Sequence, residues 1–195
     1  MLLVGATMAA CNNDPAPLGK LAPDAVILAF GDSLTHGTGA RDYQSYPAVL
    51  GERSGREVIN AGIPGEETST GLRRLPGLLD RHQPDLLVLC HGGNDILRKR
   101  DPAATVANIR EMILMARERN IPVVMLAVPN VGLFPSSADF YEDVAEDMQV
   151  PIEDDILADV LGNNRYKSDH VHPNAAGYAR IAEAVETLLT EHGAL

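Results

Sequence analysis

Three things are scarce in this sequence. Cysteine occurs only twice, at Cys11 and Cys90, too few for a disulfide framework in a chain of 195 residues. Cys90 closes the apolar run LLVLC and reads as a small buried apolar residue. Positive charge is short as well: the formal net charge is −11, with no run of basic residues. That argues against nucleic acid and an anionic lipid surface as main partners, and leaves solubility as the plain meaning of the charge. Long apolar runs are missing too; the N-terminal MLLVGATMAAC is too short to span a bilayer. With 45% apolar and 22% charged residues, the chain has the composition and length of one globular domain with its own core.

The first eleven residues look like the apolar region and small-residue cleavage site of an export signal. Their ending, MAAC, resembles a bacterial lipoprotein signal, which implies a lipid anchor on Cys11 after cleavage. NNDPAPLGKLAPD then reads as a Pro-rich tether. The expected division is a signal-like segment and tether over residues 1–24 and one domain over 25–195. Such a protein is exported, to the periplasm or as a membrane-anchored lipoprotein. If residues 1–11 are only an unstructured terminus, it stays in the cytoplasm. No sequence signal bears on oligomeric state.

From residue 25 on, strand-like and helix-like segments alternate. AVILAF (25–30) is a continuous apolar run, as a buried parallel strand requires. EVINAG, DLLVLC (85–90), PVVMLAV (122–128) and VPIED read as four more strands. Helices are expected over SYPAVLGERSG, STGLRRLPGLLDRHQ, DPAATVANIREMILMARERN, SADFYEDVAEDM and residues 175–191. Pro76 should kink the second or start a new turn. Asp101 and Pro102 fit the N-cap and first position of the third, with Val106, Ile109, Ile113 and Ala116 on one face. In the last helix Tyr178, Ile181, Val185 and Leu188 share a stripe. The alternation implies an α/β fold with an open parallel sheet covered on both faces. Chemistry then belongs in the loops at the carboxyl ends of the strands: GDSLTHGTG, GIPGEETS, HGGND and PNVGLF.

GDSLTHGTG does not hold a phosphate. Its glycines miss the G-x-G-x-x-G pattern, no Gly-Lys-Ser/Thr follows, and no lysine lies between Lys20 and Lys99. The other use of the loop is a nucleophile, Ser33, with Gly31 letting the backbone turn tightly before it. A serine hydroxyl needs a base, and the base needs a group to orient it. SDHVHPN (168–174) offers both, with Asp169 three residues before His172, so the carboxylate can reach Nδ1 and leave Nε2 for Ser33. Residue 35 is Thr, so the G-x-S-x-G elbow of α/β-hydrolases is absent. The N–H of Ser33, the N–H of Gly65 and the side-chain amide of Asn94 can donate to a developing oxyanion, each worth roughly 10²–10³ in rate.

These blocks resemble those of the SGNH hydrolases, also called the GDSL family of esterases and lipases. GDSL stands at 31–34, NAGIPGEE at 60–67 resembles the glycine block, HGGND at 91–95 the asparagine block, and DHVHPN at 169–174 the Asp-x-x-His block. The likeness covers residues 25–192 and is greatest to bacterial periplasmic thioesterase, lysophospholipase and arylesterase-type enzymes. It implies a flavodoxin-like three-layer α/β/α sandwich with a five-stranded parallel sheet. It also implies catalytic Ser33, Asp169 and His172, an oxyanion hole of Ser33, Gly65 and Asn94, and no metal or organic cofactor. The expected activity is hydrolysis of small-molecule esters or thioesters through an acyl-enzyme.

Simpler roles suffice for other residues. Asp32 suits capping, and Asn60 and Asp95 suit loop bracing. His36, His82 and His192 read as surface or loop residues; Tyr178 and the methionines at 112, 115 and 125 read as core. His170 and His172 with Asp169 could be taken for a metal site, but no third ligand of suitable spacing is evident. Ile96, Leu97, Val131, Leu133 and Phe134 are expected to line an acyl pocket or only to pack against helices. Two further functions stay open: a carbohydrate O-acetylesterase, and a non-catalytic lipid- or glycan-binding lipoprotein, for which an intact triad would be superfluous.

Overall fold

A computed structural model describes residues 15, 17–130 and 138–195. Five parallel strands form one sheet in the order β2-β1-β3-β4-β5. They are β1 (Val26–Gly31), β2 (Glu57–Gly62), β3 (Leu86–Cys90), β4 (Val123–Leu126) and β5 (Ile152–Glu153). This is the flavodoxin-like order. β1 and β3 are buried almost throughout, as their unbroken apolar sequences require. The edges differ: β2 is half-exposed and β5 has two residues.

Helices α2 (Tyr46–Ser54), α7 (Ile156–Gly162) and α8 (Ala175–Glu191) pack together as one layer. The second layer is α3 (Thr68–His82), α5 (Pro102–Arg117) and α6 (Phe140–Met148). In α5, Asp101 accepts from the Ala103 N–H at 3.1 Å and Pro102 takes the first position, where its missing N–H costs nothing. Ile109, Ile113 and Ala116 are buried there, and Val106 packs at the margin. The α8 stripe of Tyr178, Ile181, Val185 and Leu188 is buried as its spacing predicts. So are Met112, Met125 and Cys90, whereas Met115 is only half-buried. Two residues of the expected tether join this core: Leu18 and Leu21 donate backbone hydrogen bonds to His192 O and Ala194 O, and Leu21 is buried.

α3 continues through Pro76, with Leu75 and Leu79 buried on either side of it. Three expectations need correction. HGGND is not all loop, because α4 (Gly93–Leu97) begins inside it, and α7 lies where no helix was expected. Gly31 does not make the tight turn. It is the last residue of β1, and a Cβ there would lie 2.0 Å from Cys90 O and 2.3 Å from Thr35 Oγ1. Only glycine lets β3 and the following helix approach so closely.

Candidate active site

The carboxyl edge of the sheet gathers the polar loops. After β1 the chain enters a single helical turn, α1 (Ser33–His36), with Asp32 as its cap. Asp32 Oδ1 accepts from the Leu34 N–H at 3.0 Å, which sets Ser33 at the first position of the turn. Burial pushes the Asp32 carboxyl above its usual range, against the hydrogen bonds it accepts from Leu34 and Asn94.

The partner of Ser33 arrives from the other end of the chain. Ser168 N donates to His172 O at 2.9 Å, closing a tight loop just before α8. Inside it, Asp169 Oδ1 accepts from the N–H groups of Val171 and His172, both at 2.9 Å. Asp169 Oδ2 lies 2.8 Å from His172 Nδ1, and His172 Nε2 lies 3.0 Å from Ser33 Oγ. A carboxylate on Nδ1 puts the ring proton there and leaves a lone pair on Nε2 facing the hydroxyl. Desolvation raises the Asp169 carboxyl, but hydrogen bonds from His172 and Val171 outweigh it and its net shift is downward. It stays ionised where His172 needs it. A metal reading of His170, His172 and Asp169 would require a His172 nitrogen already bonded to Asp169 or Ser33.

Gly65 and Asn94 line the same cleft as Ser33 and His172, which has a volume of about 460 Å³. Gly65 has a positive φ of 79°. Asn94 Nδ2 donates to Asp32 Oδ2 at 3.1 Å and to Glu66 O at 3.0 Å, so both its hydrogens have protein acceptors. Of the expected pocket residues, Leu97 lines this cleft, while Ile96 lines a neighbouring hollow beside Thr105 and Phe140. Val131, Leu133 and Phe134 lie outside the described residues. Sequence reasoning did not name Leu161, Gly162, Lys167 and Val171, which also line the cleft. The signal was there in Val171, which stands beside His172.

The bracing residues behave as expected. Asp95 accepts from Thr68 N at 2.9 Å and Thr68 Oγ1 at 2.6 Å, tying α4 to the start of α3. Asn60 Oδ1 accepts from Gly62 N at 3.0 Å.

Comparison with known proteins places the chain in a family. Residues 29–180 match the model of the GDSL-like lipase/acylhydrolase family. An arylesterase of Vibrio mimicus is 34% identical over 177 residues, covering 85% of this chain and 88% of that one. The thioesterase 1/protease 1/lysophospholipase L1 of Escherichia coli K12 is 30% identical, covering 80% and 79%. The crystal structure of TesA superposes with a TM-score of 0.78 at 29% identity, covering 86% of this chain and 99% of that one.

Proposed function

The chain belongs to the GDSL-like lipase/acylhydrolase family, and from that premise we propose how this serine esterase works. Ser33 is the nucleophile, His172 the general base and acid, and Asp169 the group that orients His172. One observation carries this assignment: the unbroken row from Asp169 Oδ2 through His172 to Ser33 Oγ, with steps of 2.8 and 3.0 Å. As Ser33 attacks the carbonyl, Nε2 takes its proton and Asp169 stabilises the imidazolium. The oxyanion receives the N–H groups of Ser33 and Gly65 and one hydrogen of Asn94. That hydrogen is the one Asp32 Oδ2 now accepts; the other stays on Glu66 O. His172 then protonates the leaving oxygen or sulfur. Water, activated the same way, releases the acid from Ser33.

The acid part of the substrate lies against Leu34, Leu97, Val128 and Leu161, which make the cleft largely apolar and suit it to small and medium acyl groups. Aryl esters and thioesters are the expected substrates, following the names of the Vibrio and Escherichia relatives. Wild type should hydrolyse p-nitrophenyl acetate and butyrate without added metal. Ser33→Ala should lose about 10³-fold or more in kcat. Wild-type rates from that variant would end the proposal.

Among the described residues no helix is long and apolar enough to cross a membrane. We infer export from residues 1–11 and lipid attachment at Cys11, both outside the described residues. The proposed division is a leader and tether over 1–24 and a hydrolase domain over 25–195.

A further inference from the structure

Behind the oxyanion loop sits a polar cluster that takes no part in the acyl transfer just described. Glu66, 6% exposed, meets Arg74 through two contacts: Nε to Oε1 at 3.0 Å and Nη2 to Oε2 at 2.5 Å. His91, 1% exposed, brings Nε2 to 3.3 Å from the same Oε2. His91 Nδ1 accepts from the Gly92 N–H at 3.0 Å. An accepting Nδ1 leaves the ring proton on Nε2, so His91 donates to Glu66. Arg74 also donates to Ala61 O at 3.0 Å and lies over the Phe30 ring, 4.3 Å from its centre. Desolvation raises the Glu66 carboxyl, but His91 and Arg74 bring it down to about 2.

Packing alone does not ask for such a cluster. An apolar side chain in place of His91 would fill the space without an imidazole to desolvate. The backbone of Glu66 supplies the reason. Its carbonyl accepts from Asn94 Nδ2 at 3.0 Å, and its N-terminal neighbour is Gly65. Asn94 is also three residues from His91. The His91–Glu66 contact, the Glu66–Asn94 bond and the segment 91–94 therefore close a ring, and one member of that ring is an oxyanion donor.

We infer that His91 and Arg74 are positioning residues, which hold Glu66 so that its carbonyl aims the Asn94 amide at the oxyanion. The inference rests on the reading of Asn94 as an oxyanion donor. Donors to an oxyanion work within a few tenths of an ångström, so a loosened Glu66 costs rate in the transition state more than affinity in the ground state.

The test is a double-mutant cycle on p-nitrophenyl butyrate, with thermal melts to establish that each variant is folded. His91→Leu should lower kcat about tenfold with KM little changed. His91→Gln, whose amide can again donate to Glu66, should recover most of that loss. Asn94→Ala should cost about 10²–10³ in kcat. In the Asn94→Ala background, His91→Leu should cost almost nothing more, because its effect passes through Asn94. Glu66→Gln should show the same non-additivity, which keeps the test alive if His91→Leu does not fold. Equal losses in both backgrounds, or an unchanged kcat for His91→Leu and Glu66→Gln beside a damaged Asn94→Ala, would overturn this inference alone. A harmless Asn94→Ala would overturn the oxyanion reading and this inference with it.

Discussion

Ser33 meets its proposed base on a loop 139 residues further along the chain, and for the proposed chemistry the two loops must meet within a few tenths of an ångström. Gly39 is where they meet. Its φ is +99°, and a Cβ there would lie 2.1 Å from Ser168 Oγ and 2.5 Å from Pro173 O. Gly39→Ala must therefore push the His172 loop away from Ser33 as well as strain its own backbone. Ester kinetics should show kcat/KM down about tenfold or more, and denaturant melts a loss of about 1–3 kcal/mol. A variant with normal kinetics would mean that the loops are not coupled here. That Ser33, Asp169 and His172 meet could be read in the sequence, because the proposed nucleophile, base and orienter each need a particular residue type at a particular spacing. Gly39 could not, since its neighbours Ser168 and Pro173 are brought to it only by the fold.

Among elements, α5 and α8 were legible and α4 was not. α5 and α8 repeat their apolar positions over four turns, so their buried faces follow from period alone. α4 has five residues, opened by Gly92 at a φ of 113°, and is too short to show a period. α7 had a readable stripe, with Ile156, Leu157, Val160 and Leu161 all buried. The start of α3 is secured by Asp95, and its middle by the Arg74 contact to Glu66. The Glu66 carboxyl sits at about 2 rather than the usual 4.5. A lowered carboxylate contributes stability above its unfolded value and loses it as pH falls through the folded one. Wild type should therefore melt higher than Glu66→Gln at neutral pH. The gap should shrink as pH falls from about 5 to about 2. Melts across that range check it, and a gap that does not change with pH would count against the ion pair.

For the whole molecule, the α/β class and the five-strand count followed from the alternation of apolar runs and helical stripes. The neighbour of each strand is fixed by long-range pairing, and here the resemblance to a known family supplied what period alone does not. The proposed lipid on Cys11 is a property of the entire chain in its cell. Wild type expressed from its own start should partition into the detergent phase of Triton X-114, and Cys11→Ala into the aqueous phase. If both stay aqueous, the anchor is absent. The distance along the chain between Ser33 and His172 also has a meaning in time. A ribosome adds roughly 5–20 residues per second, so Ser33, the proposed nucleophile, waits roughly 7–30 s for its proposed base to be made. Through that interval the growing chain has no means of activating Ser33. On the proposed roles, activity needs α8 against α2, Tyr178 on the Thr38 carbonyl at 2.8 Å, and the His172 loop at Ser33.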